Sequence, residues 1–217
     1  MKQRYYLPFL SDAMSLSRIN YSWISAIMSL LYYGMMYSND PIGYYKLIFQ
    51  VFVIVSLFSI VLSFIKRIYY KFQVATFILI GINFLIFLLD MDFIGLLFFT
   101  DTMKYNIYSR YALPYIIVML IIIISSSAYY VYCYKIKKER VLGYEGGAKK
   151  KENSHLLNYG IIFGLVLITP FLLTGYIDNL IGVLSGLLLS VVIPGLIIDS
   201  FYAAYLIHKH PEYKEKR

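Results

Sequence analysis

Asp199 is the one acidic residue inside a long apolar run of this 217-residue chain. A carboxylate at mid-bilayer costs about 2.5–3.5 kcal/mol on insertion scales, so there it needs a partner or a proton. Ten residues separate it from Lys209, a helical rise of about 15 Å. By the same reckoning Ser126 stands about 13 Å above Lys135, and Asn83 about 18 Å above Lys71. Asn83, Ser125, Ser126, Ser127 and Asp199 are therefore expected at one depth, as an intramembrane polar cluster. Such a cluster serves either as interhelical hydrogen bonds or as a site for a solute or proton.

A second group, Asp40, Asp90, Asp92, Asp101 and Asp178, falls in expected external loops and forms a candidate outer acidic surface. Asp90 and Asp92 directly follow an apolar run, where a helix dipole disfavours negative charge. The segment from Phe93 to Phe99 is too short to cross, so it is expected to dip into or rest on the outer leaflet. Acids beside aromatic rings would suit a cationic peptide or cation. Simple solvation of acids in loops depleted of Lys and Arg is the competing reading.

The remaining candidates are weaker. Gly160 with Gly164, and Gly182 with Gly186, have the four-residue spacing that lets helix backbones approach, and are assigned to helix packing. His208 and His210 lie two apart in a basic tail, His155 stands alone, and no metal site is expected from them. Cys133, the single cysteine, excludes an internal disulfide. No phosphate-binding loop, zinc-protease helix or nucleophile elbow occurs, so no catalytic residue and no cofactor is assigned.

Long helices must position these residues. The chain is 60% hydrophobic and 15% charged with mean hydropathy +0.67, against about half and a quarter for soluble domains. A roughly 30 Å hydrocarbon core takes about 20 apolar residues to cross as a helix. Six runs qualify, at 19–37, 45–65, 72–89, 112–134, 156–176 and 180–207. Residues 1–18 form an N-terminal segment expected on the inner surface, 135–155 a basic loop and 208–217 a basic tail. A three-residue loop, Ile177 to Asn179, would make the last two helices antiparallel neighbours. Gly182 and Gly186 would then face Thr174 and Gly175, and Gly160 and Gly164 would face Ser200 and Ala204.

Seventeen of the 20 Lys and Arg residues fall on one side of this arrangement; only Lys46, Lys104 and Arg110 fall on the other. By the positive-inside rule both termini are expected in the cytoplasm. Tyrosines near both sets of span ends, among them Tyr32, Tyr115, Tyr129 and Tyr205, are expected in two aromatic belts. The net charge of +8 brackets apolar runs and forms no basic face, which argues against nucleic acid. Abundant Ile, Tyr, Phe, Lys and Asn have AT-rich codons and suggest a low-GC bacterial cell membrane.

The expected fold is an all-α, six-span bundle, N-in/C-in. Its partners are expected to be the lipid bilayer and another protein, a membrane partner or a toxin. The leading functional expectation is a non-catalytic protein acting by contact, as an accessory subunit of a secretion or export system or as a toxin-immunity protein. The alternative is a small transport component. In architecture alone the chain resembles the substrate-capture subunits of vitamin uptake systems. An intramembrane enzyme is the third reading and would need paired polar catalysts at the Asp199 level.

Overall fold

A computed structural model of the chain describes residues 16–40, 42–102, 107–141, 177–209 and 211. Of these, 94% are helical. A short 3-10 helix, Leu16–Tyr21, leads into α1 (Ser22–Asn39). Then follow α2 (Tyr44–Phe64), α3 (Lys66–Lys71), α4 (Gln73–Thr102), a 3-10 turn at Arg110–Ala112, α5 (Leu113–Val141) and α6 (Ile177–Lys209).

Local chemistry explains the breaks. Gly43 carries φ 84°, a left-handed conformation that L side chains rarely adopt, and this turn joins α1 to α2. Asp40 accepts the backbone N–H groups of Ile42, Gly43 and Lys46, satisfying donors that the start of α2 leaves without helix partners. Ile65 and Phe72 leave helical geometry on either side of α3, making a basic elbow between α2 and α4. Pro114 stands in the first turn of α5, where its missing N–H costs nothing.

Four helical segments are long and apolar enough to cross a membrane: Tyr44–Phe64, Gln73–Thr100, Leu113–Tyr134 and Gly182–Lys209. They correspond to the second, third, fourth and sixth expected spans. The first expected span, 19–37, begins in the 3-10 turn and continues as the 18-residue, serine-bearing α1. The fifth, 156–176, with Gly160 and Gly164, lies outside the described residues.

Three expectations need correction. The third span does not end at Leu89. Its helix continues to Thr102, because Asp90 and Asp92 turn inward against hydroxyls of neighbouring helices. Phe93–Phe99 is therefore part of α4 rather than a segment dipping into the leaflet. Its Phe93 ring packs 4.7 Å from Phe49 and 5.4 Å from Tyr32, centroid to centroid. Finally, Ile177 to Asn179 form the first turn of α6 and are no loop. An acid such as Asp178 suits a helix N-terminus.

The packing gives each helix a direction. Ser25 meets Asn83 and Ser29 meets Asp90, so α1 and α4 run parallel. Tyr32 packs on Phe49 while Ser25 meets Ser56, so α2 is antiparallel to α1. A Cβ on Gly182 would meet Phe98, and one on Gly81 would meet Ser200, so α6 is antiparallel to α4. Tyr115 lies beside Gly186, Tyr130 against Gly195, and Tyr134 against Tyr202, so α5 and α6 are parallel. Two core clusters result. One, at the Lys66–Lys71 end, joins Leu16, Ile19, Tyr69, Phe77, Ile80 and Ile207. The other, at the far end, joins Tyr32, Met36, Phe49, Phe93, Leu96 and Tyr115.

Candidate functional site

Helix α4 carries polar residues on two faces. Asn83 and Asp90 stand seven residues apart, two helical turns, and share the face against α1. Helix α1 answers with Ser22, Ser25 and Ser29, spaced three and four apart and all buried. Ser29 Oγ donates to Asp90 Oδ2 at 2.8 Å. Ser25 Oγ lies 3.2 Å from both Asn83 Oδ1 and Ser56 Oγ of α2, and Asn83 Nδ2 donates to Ser59 Oγ at 2.7 Å. One amide thereby ties three helices.

The other face of α4 meets α6. Ser190 Oγ donates to Asp92 Oδ1 at 2.6 Å, and the Tyr115 hydroxyl donates to the Asp92 backbone carbonyl at 3.3 Å. Small residues make this approach possible. A Cβ on Gly182 would fall 1.9 Å from the Phe98 ring, and one on Gly186 would fall 2.8 Å from the Tyr115 hydroxyl. The neighbours at these two glycines are Phe98 of α4 and Tyr115 of α5.

Asp199 is also fully buried, on α6. Neither of its oxygens has a hydrogen-bond partner among the described residues; nor do Asp90 Oδ1 and Asp92 Oδ2. Arg18, in the 3-10 turn, is within electrostatic reach of Asp199. Among the described residues, four of the six carboxylate oxygens of Asp90, Asp92 and Asp199 are thus left without a donor. Unpaired polar atoms away from water cost about 1–3 kcal/mol each, more when charged.

The expected cluster is only partly assembled. Asn83 is buried in a network, but with Ser25, Ser56 and Ser59, and no hydrogen bond joins it to Asp199. Ser125 is exposed and Ser127 half-buried. Ser126 donates to the Val191 carbonyl at 2.6 Å, and the Tyr130 hydroxyl donates to the same oxygen at 3.1 Å. Val191 lies three residues before Pro194, whose ring and missing N–H disturb the preceding turn, so a neighbouring helix supplies donors there. Equal depth did not bring these groups together, because they lie on different helix faces.

The outer acidic surface also changes. Asp90 is 0% and Asp92 2% exposed, so both are interior residues. Asp40 is occupied in capping α2 and accepts the Tyr108 hydroxyl as well. Desolvation alone would raise its carboxyl; the Tyr108 hydroxyl and three backbone N–H donors outweigh that and hold it down at about 2. The side chains of Asp101 and Asp178 are outside the described set. Tyr32 and Tyr115, expected in an outer belt, are core residues, whereas Tyr37, Tyr44, Tyr129 and Tyr205 are exposed as belts require.

Sequence reasoning missed Ser22, Ser25, Ser29, Ser56, Ser59 and Ser190. The signal was present for α1, since hydroxyls at i, i+3 and i+7 in an apolar run mark one buried face. Among the described residues no group of three His, Cys, Asp or Glu side chains is placed to hold a metal. The chain matches no protein-family model, no curated protein and no solved structure.

Proposed function

We propose that the chain is a small ion-coupled transport component of a bacterial plasma membrane, with six spans and both termini cytoplasmic. The observation that carries the reading is the set of oxygens on Asp90, Asp92 and Asp199, inside apolar helices, that have no donor among the described residues. Intramembrane acids are costly and mark ion or proton pathways. Among the described residues each lacks at least one partner, which a proton or monovalent cation would supply. The polar groups between Gly81, level with Ser200, and Asp92 span about 17 Å of α4. They sit on two faces, which suits alternating exposure of separate carboxylates better than one continuous wire.

Parity supports the topology. Helices α5 and α6 run parallel, and each contains a membrane-length apolar segment. A further crossing between them would complete six spans, and the apolar run 156–176 has the length for it. The excess of Lys and Arg at the α3 end supports a cytoplasmic assignment for that side.

The contact reading, as a secretion accessory or immunity protein, relied on an outer acidic surface that loses Asp90 and Asp92 to the interior. The enzyme reading relied on Asp199, Asn83 and the serines meeting, and they do not. Infrared spectroscopy of the purified protein in lipid tests the transport reading. A protonated-carboxyl band should titrate reversibly in the folded protein, and should shrink in Asp90→Asn, Asp92→Asn or Asp199→Asn. Carboxyl bands unchanged by pH and by added sodium would refute it.

A further inference from the structure

A cleft of about 230 Å³ opens between the Leu16–Tyr21 turn, α1 and α4. Its walls are Ile24, Ile80, Phe84 and Phe87, with Ser22, Ser25 and Asn83 at the back and Arg18 and Tyr21 at the rim. The polar atoms at the back are already committed. Ser22 donates to the Ile19 carbonyl, Ser25 shares its single proton between the Ser22 carbonyl and Asn83 Oδ1, and the Asn83 amide donates to Ser59 and the Leu79 carbonyl. A polar solute would find few free donors there. The guanidinium of Arg18 is different: it makes no hydrogen bond or ion pair among the described residues, and its described electrostatic interaction is with Asp199.

The cleft's surroundings identify the ligand. Leu16 and Ile19 pack with Tyr69 and Ile207, which places Arg18 at the end of the bundle that carries Lys66, Arg67, Lys71 and Lys209, all four exposed. That end is where apolar helices meet the headgroup layer. An apolar trough lined by one guanidinium that makes no hydrogen bond or ion pair among the described residues, set in a basic collar, matches a molecule with a fatty body and an anionic head. We infer that this cleft holds an anionic phospholipid, its phosphate on Arg18 and the start of an acyl chain against Ile24, Ile80, Phe84 and Phe87. Guanidinium and phosphate pair with two parallel hydrogen bonds, and basic pockets between membrane helices are suited to such headgroups.

A reporter can be set in the cleft wall: Trp23, the only tryptophan, does not line the cleft, whereas Phe87 does, so Trp23→Phe with Phe87→Trp moves the single indole there. In full-length protein carrying this pair and reconstituted into phosphatidylcholine vesicles, brominated phosphatidylglycerol should quench the indole at lower mole fraction than brominated phosphatidylcholine. The expected ratio is about fivefold, the contribution of one basic residue near an anionic surface. Arg18→Gln should bring the ratio to one and Arg18→Lys should keep most of it, with circular dichroism confirming folded protein. Lys66→Gln should leave it unchanged. A ratio of one with Arg18 intact overturns the proposal. So does a ratio that survives Arg18→Gln, or one lost equally in Lys66→Gln, which would mean a diffuse basic collar. A disulfide between cysteines at Ile24 and within 156–176, on a Cys133→Ser background, would overturn it by placing protein in the cleft.

Discussion

Gly182→Ala should loosen the bundle where α6 packs on α4. A Cβ there falls 1.9 Å from Phe98 Cδ2, 2.4 Å from Cγ and 2.6 Å from Cε2, well inside contact distance. The clash reaches the root of the ring, so rotation about χ2 cannot relieve it. Either Phe98 leaves its rotamer or α4 and α6 separate. Overpacking of this kind costs about 1–3 kcal/mol, or about five- to 150-fold in the unfolding equilibrium. Neither alternative brings a hydrophobic gain, since in lipid the helices associate through close packing. The assay is reversible unfolding of the purified protein in mixed micelles, followed by circular dichroism. Combining Gly182→Ala with Phe98→Ala gives a double-mutant cycle, and the pair should be less damaging than the sum of the singles. Gly34 is the internal control: no atom lies within 4 Å of a Cβ built there, so Gly34→Ala should be neutral or gain up to about 1 kcal/mol from helix propensity. Equal effects at Gly34 and Gly182 would refute the packing argument.

Other substitutions test the polar network. Asn83→Leu removes the amide's bonds to Ser25 and Ser59; at about 0.6 kcal/mol for each interhelical bond, unfolding should become easier by about 1 kcal/mol. Ser126→Ala combined with Tyr130→Phe strips both side-chain donors from the Val191 carbonyl, and hydrogen exchange should quicken around Pro194 while α2 stays unchanged. Asp40→Ala removes the α2 cap and should cost about 1 kcal/mol in the same micelle assay. The folded carboxyl of Asp40 titrates near 2, below its ordinary 3.8. Its stabilisation is therefore complete above pH 3.8 and disappears as the pH falls through about 2. Protection of the α2 amides should fade over that window in the native chain and stay flat across it in Asp40→Asn.

Much of the architecture was legible in the residue order. Apolar length alone marks the runs that become α2, most of α4, α5 and α6, because a bilayer admits only segments that satisfy their own backbone. Lys and Arg placement marks the end at Lys66–Lys71 and Lys209 as the basic one. Hydroxyl spacing on α1 and the Asn83–Asp90 interval already define helix faces, since side-chain direction repeats every 3.6 residues. What the order of residues leaves open is which faces meet. Asp90 and Asp92 read as loop acids because their helix partners, Ser29 and Ser190, are 61 and 98 residues away. Asn83 and Asp199 read as neighbours because depth is a one-dimensional quantity, whereas contact also needs rotation about each helix axis. That rotation was decided by tertiary packing, by Phe98 seated against Gly182 and the Tyr115 hydroxyl against Gly186. Non-local pairing turned two apparent surface acids into interior ones, and no local propensity carries that information.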